Sequence, residues 1–200
     1  LGTKAARLHQ FLISTNVIKK KAENMIKHFT ENIESAGFKA MIVAHNREAC
    51  VKYKKEIDEL LFSDASEVVM TLDAKDPKDW FEKFDQTREQ LTEIQKNFSN
   101  PKHPLKILIV TQKLMRGFDA SILQVMYLDK MLKNHGLLQA ITRVNRPRKG
   151  KTNGVIVDYI GIFDNMTQAL TYDYEKIADA ITNIESIAKE LPLILKRASS

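Results

Sequence analysis

The chain has 200 residues, of which 44% are apolar, with only seven glycines and five prolines. This composition is typical of one compact globular domain with a core of useful size. No run of ~20 uncharged apolar residues could span a membrane, and the first residues lack the apolar block of a secretory signal. A single cysteine excludes an internal disulfide, and the five histidines have no zinc-ligand spacing. We therefore expect a soluble, cytoplasmic protein.

The formal net charge of +6 fits a partner rich in phosphate, although many basic domains bind nothing acidic. Basic residues are concentrated where a predicted helix gives way to a loop, at Arg143, Arg146, Arg148, Lys149 and Lys151. A solvated helix end is the simpler explanation, because the carbonyl groups of a helix end favour cations.

The first half of the chain predicts an opening helix and two strand–helix units. The opening helix ends near Gly37, with residues 14–16 as a possible break or cap. The predicted strands are 40–44 and 67–72, and the helices that follow them are 49–61 and 79–98, the second of which is capped by Asp79.

The second half predicts three more strands and a short helix. The strands are 105–110, 125–128 and 154–160, and the helix is 137–144. Strands that alternate with helices imply parallel crossovers. The predicted fold is therefore α/β, a three-layer open parallel sheet with helical segments at both ends of the chain.

Polar residues end the first three predicted strands, where ligands gather in parallel open sheets. Their hydroxyl, amide and basic groups can donate hydrogen bonds to phosphate oxygens, which fixes a nucleic-acid backbone without reading its sequence. The candidates are His45, Asn46, Arg47, Thr71, Asp73, Thr111, Gln112 and Lys113. The alternative is that these residues only cap the helices that follow.

Two further segments carry candidate residues. Gly117 interrupts a basic helical pattern, and Asp119 behind it could orient an arginine or accept a hydrogen bond from a ribose, although a helix C-cap explains Gly117 equally well. Gln139, Arg143 and Arg146 recur at spacings of four and three, which predicts an amide and two guanidinium groups on one helical face. Such arginines can stabilise the charge on a transferring phosphoryl group, or they can be solvated.

The sequence has no G-x-x-x-x-G-K-[ST] loop, and no predicted strand ends in an adjacent pair of acidic residues that could hold magnesium. A lobe with arginines but without these parts can complete an ATP site but cannot constitute one. We therefore expect the isolated chain to be inactive as an ATPase.

These segments, in this order, resemble one family. The similarity is to motifs V and VI of superfamily 2 helicases, and it is closest to the motor (R, restriction) subunit of type I restriction-modification enzymes. The segments that carry it are residues 107–121, 127–130 and 139–146. The resemblance implies a second RecA-like lobe over residues 38–170, between a helical segment at 1–37 and a helical extension at 171–200.

The resemblance also implies roles for the candidate residues. Arg146 would be the arginine finger at the γ-phosphate, Arg143 would lie beside it and Gln139 would help to place both. Gly117 and Asp119 would lie at the nucleotide. Thr111 would contact a DNA phosphate, and His45 to Arg47 would lie near the same backbone. Thr142 stands where many relatives have glycine, which favours duplex translocation over strand separation.

The implied cofactors are ATP and Mg²⁺, held mainly by a first lobe that this chain lacks. The implied partners are duplex DNA, the first RecA-like lobe and nuclease domain of a longer parent chain, and methyltransferase and specificity subunits. A catalytically silent module for nucleic-acid binding or subunit docking is the alternative function. An RNA helicase lobe, which would prefer RNA through 2′-hydroxyl contacts, ranks below both.

Overall fold

A computed structural model of the chain describes residues 10–111, 120–132 and 134–160. The predicted helical extension at 171–200 lies outside these residues, as do Gln112, Lys113, Gly117 and Asp119. The helices are α1 (Thr15–Asn32), α2 (Arg47–Leu60), α3 (Lys78–Phe84), α4 (Arg88–Ser99) and α5 (Asn134–Val144). The strands are β1 (Lys39–Val43), β2 (Ser66–Val69), β3 (Ile107–Val110), β4 (Leu123–Leu128) and β5 (Val155–Asp158).

The five strands form one parallel sheet in the order β2-β3-β1-β4-β5. The chain moves in one direction across the sheet from β1 to β2, and in the opposite direction from β2 to β3 and from β4 to β5. Because parallel crossovers are right-handed, α2 covers one face, and α3, α4 and α5 cover the other. The predicted three-layer parallel sheet is confirmed.

Strand β1 is the centre of the core. All five of its residues are buried, and the strand pairs with β3 on one side and β4 on the other. A strand covered on both faces and both edges reads as a continuous apolar run, which is why its signal in the sequence was clear. Its first residue, Lys39, is the exception, because it is a lysine that is only 1% exposed.

The buried ammonium group of Lys39 is satisfied by main-chain carbonyls at the end of α4. Its Nζ donates to the carbonyl oxygens of Asn100 at 2.7 Å and Asn97 at 3.3 Å, and lies 5.5 Å from the centre of the Phe98 ring. Cations stabilise helix C-termini, where these carbonyls have no partner within the helix. Burial nevertheless lowers the pKa of Lys39 to about 8, with the charges of Lys106 and Arg148 acting in the same direction.

Helix α1 packs against α2 through a buried apolar stripe made of Ile18, Ala22, Met25, Ile26 and Phe29. Polar contacts also join it to the sheet layer. The Nδ1 atom of His28 lies 2.8 Å from the hydroxyl of Tyr127, and Asn24 accepts a hydrogen bond from Tyr159. A 3-10 turn, Glu34–Ala36, follows the helix and ends at Gly37, whose φ of +79° lies in the left-handed region that glycine tolerates.

One predicted helix is in fact two. The sequence predicts a single helix over 79–98, but α3 ends at Phe84 and α4 begins at Arg88. Thr87 starts α4 with a capping box, in which its hydroxyl accepts from the amide of Gln90 and the Gln90 side chain accepts from the amide of Thr87. The predicted cap at Asp79 is also wrong, because Asp79 lies inside the first turn of α3, after Pro77.

Among residues 10–111, 120–132 and 134–160, no helix has the length and apolar character that crossing a membrane requires. The longest helix of these residues, α1, has 18 residues and carries three exposed lysines, Lys19, Lys20 and Lys27.

Candidate functional sites at the two edges of the sheet

A cavity of about 710 Å³ lies at the carboxyl edge of the sheet, where the parallel strands end. It is lined by His45, Asn46, Arg47, Glu48, Asp76, Pro77, Trp80, Thr111 and Lys130. The structure therefore brings together His45, Asn46, Arg47 and Thr111, which were predicted at the ends of two different strands. Thr71 follows β2 and is exposed, but it does not line this cavity.

The strand order explains why a cavity forms at this point. After β1 the chain turns towards β2, and after β4 it turns the opposite way towards β5. Neighbouring strands whose connections diverge leave a crevice at their carboxyl ends, and this is where open α/β sheets bind ligands. Asp129, at the end of β4, donates from its amide to the carbonyl of Val43 at 2.9 Å, so the two strand ends remain paired up to the crevice.

Asn46 and Arg47 both have structural partners in this cavity. The Oδ1 atom of Asn46 accepts from the amide of Ala49 at 2.8 Å, which makes Asn46 the N-cap of α2. The Nε atom of Arg47 lies 2.7 Å from a carboxylate oxygen of Asp76, and the side chain of Arg47 is 39% exposed. The capping explanation therefore holds for Asn46, and Arg47 would have to exchange Asp76 for a ligand.

Sequence reasoning did not select five residues that line the cavity, namely Glu48, Asp76, Pro77, Trp80 and Lys130. Lys130 follows the end of β4 by two residues, so the rule that selected His45 after β1 would also have selected it. Asp76 and Trp80 come from the segment that leads into α3, and their approach to α2 depends on the tertiary fold. No local signal in the sequence indicates that approach.

A buried polar cluster underlies the cavity. Asp129 has no exposed surface, and its carboxylate accepts from the hydroxyl of Tyr53 at 2.8 Å and from the ammonium group of Lys21. Burial, followed by the negative charge of Asp129, raises the pKa of Tyr53 well above its ordinary value, so Tyr53 remains a donor. This cluster connects α1, α2 and the end of β4 at a single carboxylate.

A second cavity, of about 310 Å³, lies at the opposite, amino edge of the sheet. It is lined by Ser99, Ala120, Ser121, Ile122, Arg146, Pro147 and Arg148. Its position is fixed by Ile122, whose carbonyl accepts from the amide of Lys39 at the start of β1. The described lining contains two guanidinium groups and two hydroxyl groups and no carboxylate, which is a donor set suited to an anion such as a phosphate.

The predicted single helical face with Gln139, Arg143 and Arg146 is wrong. Helix α5 ends at Val144, so Arg146 lies beyond the helix. The reason is Pro147, because the residue before a proline is disfavoured in the α region. Arg146 is exposed and lines the amino-edge cavity, whereas Gln139 and Arg143 remain on α5, and the Nε and Nη1 atoms of Arg143 are buried.

The segment that follows Arg146 is fixed to the start of β4. The guanidinium of Arg148 donates to the hydroxyl of Ser121 at 3.3 Å, and Lys151 Nζ donates to the carbonyls of Ser121 at 3.2 Å and Leu123 at 2.6 Å. Burial, and then the charge of Arg148, lowers the pKa of Lys151 to about 8. These contacts hold the loop that carries Arg146 against the amino edge.

Gly154 allows the end of α5 to approach the start of β5. A Cβ atom at this position would lie 2.4 Å from the carbonyl oxygen of Val144, closer than real side chains come to backbone. The amide of Gly154 also donates to the side chain of Asn145, at 3.4 Å. A glycine is required here because any side chain would push the end of α5, and Arg146 behind it, away from the sheet.

The two edges suit different parts of the predicted chemistry. The amino-edge donor set fits the phosphates of ATP. The described residues contain no group of three His, Cys, Asp or Glu side chains that could hold a metal ion.

The chain forms one five-stranded parallel sheet with helices on both faces. A family model described as type I restriction enzyme subunit R domain 3 matches residues 13–161. The chain belongs to this family.

Named relatives agree with this assignment. The chain is 34% identical over 197 residues to the endonuclease subunit assigned to the type I restriction enzyme MjaIXP of Methanocaldococcus jannaschii, with 98% of this chain and 19% of the relative covered. It is 35% identical over 164 residues to the HindI endonuclease subunit of Haemophilus influenzae, with 76% and 15% covered. The chain therefore spans about a fifth or less of the length of these relatives.

Solved structures show the same fold. A fragment described as an HsdR subunit of a type I restriction enzyme from Vibrio vulnificus YJ016 superposes with a TM-score of 0.53 at 17% identity, covering 74% of this chain and 28% of that one. The ATP-dependent Type ISP restriction-modification enzyme LlaBIII, solved bound to DNA, gives a TM-score of 0.52 at 15% identity, covering 70% and 9%. At these identities the likeness concerns the fold alone.

Proposed function

We propose that the chain is the second motor lobe of the ATP-dependent, DNA-translocating R subunit of a type I restriction enzyme. The observation that carries this proposal is the arrangement of the two cavities. An exposed arginine lies at one edge of the sheet, in a cavity whose described lining contains no carboxylate, and a larger polar cavity lies at the other edge. A motor lobe needs one surface for the nucleotide and a separate one for the DNA backbone.

At the amino edge, Arg146 is the arginine finger in this proposal. Its guanidinium is permanently charged, and it is held on a loop that Arg148 and Lys151 fix to β4. Arg143 and Gln139 support the loop from α5, since they lie on the helix that ends just before it. Gly117 and Asp119 contact the nucleotide in the same proposal, as the family resemblance implies.

At the carboxyl edge, the cavity contacts the DNA backbone. Thr111 and the first turn of α2 offer hydroxyl and amide donors, and the helix N-terminus favours a phosphate. His45, Asn46 and Arg47 lie around the same point, and Gln112 and Lys113 follow Thr111 in the chain. Thr71 contributes further along the edge, outside the cavity.

The remaining parts of the motor come from partners. A first RecA-like lobe supplies the phosphate-binding loop and the magnesium ligands, so that ATP and Mg²⁺ are held mainly by that lobe. The complete enzyme also includes a nuclease domain and the methyltransferase and specificity subunits of the restriction complex. In this assembly the chain acts on duplex DNA.

The test uses a two-lobe motor, meaning this chain together with a lobe that supplies the phosphate-binding loop and magnesium ligands. Arg146→Ala should lower DNA-stimulated ATP hydrolysis by about three or more decades, because an arginine finger is worth that much. The matched control is Lys149→Ala, which removes one exposed positive charge from the same loop and should leave the rate within a factor of two.

An Arg146→Ala rate within about twofold of the unaltered motor would contradict the finger assignment. If such a variant also bound DNA normally, the chain would instead be a catalytically silent nucleic-acid-binding module.

A further inference from the structure

We propose that Lys130 binds a backbone phosphate of duplex DNA in the carboxyl-edge cavity, and that Asp129 positions it there. This inference rests on the proposed function of that cavity. It adds Lys130 to the DNA contacts proposed for this cavity. Two observations support it, namely the position of Lys130 in the cavity wall and the ion pairs that already occupy the neighbouring carboxylates.

Lys130 lies at the crevice between the diverging connections of β1 and β4. Asp129 links the end of β4 to β1 through its amide, and Lys130 is the next residue of the chain. From this position Lys130 lines the same cavity as Thr111 and the first turn of α2. A phosphate in the crevice would therefore have an ammonium group, a hydroxyl group and a helix N-terminus in the wall of the same cavity.

The acidic groups around Lys130 already have partners. Asp76 pairs with Arg47 at 2.7 Å, and Glu48 pairs with Lys52 at 2.7 Å. The carboxylate of Asp129 has one oxygen on Lys21 and the other on the hydroxyl of Tyr53. Among the described residues, no carboxylate lies within ion-pair distance of Lys130.

The surroundings of Lys130 favour an anionic ligand. Its side chain is half-buried, and burial lowers its pKa, with the neighbouring Cys50 acting in the opposite direction. A partly desolvated ammonium group without a carboxylate is stabilised when an anion enters beside it. A phosphate would therefore stabilise the charged form of Lys130 and accept a charge-assisted hydrogen bond from it.

Asp129 acts as a positioning residue because both of its carboxylate oxygens are occupied away from Lys130. The contacts with Tyr53 on α2 and Lys21 on α1 fix the main chain at the end of β4. Lys130 follows immediately and is therefore presented to the cavity from a rigid support. A DNA phosphate is the ligand proposed, since the cavity is open and lies beside the other proposed backbone contacts.

The experiment measures binding of duplex DNA to the two-lobe motor as a function of salt. Each phosphate contact adds about 0.9 to the slope of log affinity against log salt. Lys130→Gln should reduce that slope by about one and weaken binding roughly three- to tenfold at 0.1 M salt. Lys130→Arg keeps the charge and should restore most of the slope, which a merely structural role would not require.

The matched control is Lys27→Gln, which removes one exposed lysine charge from α1, away from the cavity. A Lys130→Gln slope equal to that of Lys27→Gln would overturn the inference, while an intact dependence of ATP hydrolysis on Arg146 would leave the proposed function standing. Competition by inorganic phosphate at millimolar concentration, with no preference for DNA, would show an adventitious anion site and would also overturn it. Loss of the Arg146 dependence would contradict the proposed function itself.

Discussion

His28 joins helix α1 to strand β4 with a single neutral imidazole. Its Nδ1 lies 2.8 Å from the hydroxyl of Tyr127, and the two rings meet edge to face with centroids 5.8 Å apart. Burial lowers the pKa of His28 below its ordinary 6.5, and the charge of Glu31 opposes that shift. The folded chain therefore favours the neutral form of this side chain.

This preference predicts a loss of stability in mild acid. The unfolded chain binds a proton at His28 near pH 6.5, whereas the folded chain binds it only at lower pH, so the unfolded state holds more protons in this window. The stabilising contribution is complete above pH 6.5 and is lost as the pH falls towards the folded pKa. Urea unfolding of the chain at pH 7.5 and 5.5 should show this fall, and His28→Gln should make it smaller. An equal fall in the variant would mean that His28 does not contribute.

The position of Arg146 depends on the proline that follows it. The spacing of four and three predicts Arg146 on a helical face with Gln139 and Arg143, but the helix ends before Pro147, and Arg146 lines the amino-edge cavity, which Arg143 does not. Pro147 is visible in the sequence, and its effect outweighs the helical spacing of the polar residues, because a proline sterically restricts the backbone of the residue before it.

At the scale of elements, helix α1 is joined to the sheet by a buried ion pair. The side chains of Lys21 and Asp129 are 12% and 1% exposed. Removing one partner of a buried pair leaves an uncompensated charge, which costs ~3 kcal/mol or more. Lys21→Ala should therefore lower the free energy of unfolding by about that amount, measured by urea titration of the chain.

Lys20→Ala is the control for this change, since Lys20 is exposed on the same helix and its loss should cost less than ~0.5 kcal/mol. If Lys21→Ala cost no more than Lys20→Ala, the ion pair would contribute nothing to the attachment of α1, which would then depend on its buried apolar stripe alone. A large cost would show that α1 and the sheet unfold as one unit.

The positions of most helices and strands could be predicted from the sequence. Each strand is a buried, largely apolar run, and the apolar residues of the helices recur at helical spacing. The break between α3 and α4 was missed although its capping signature, Thr87 with Gln90 three residues later, is written in the sequence. By contrast, the ion pair between Arg47 and Asp76 joins residues 29 apart and arises only when α2 and the segment before α3 meet. Local propensity contains no information about such contacts.

At the scale of the whole molecule, the sheet separates two surfaces. Arg146 lies at the amino edge and Thr111 at the carboxyl edge, so that a whole strand, about 15 Å for four or five residues, lies between them. The sequence predicted candidate residues for both surfaces. The rule that ligands bind at the carboxyl ends of parallel strands could not show that Arg146 lies at the opposite edge from Thr111. Strand order and the return direction of α5 were needed to place Arg146 at the other edge.

The measurement that tests the account most directly is ATP hydrolysis by the two-lobe motor, titrated with duplex DNA. Arg146→Ala should lower the maximal rate by about three decades and leave the DNA concentration for half-maximal stimulation unchanged. Thr111→Ala should raise that DNA concentration several-fold and retain most of the maximal rate, because it removes a backbone contact. If either variant changed both quantities equally, or if the two effects were exchanged, the assignment of nucleotide and DNA to opposite edges of the sheet would be contradicted.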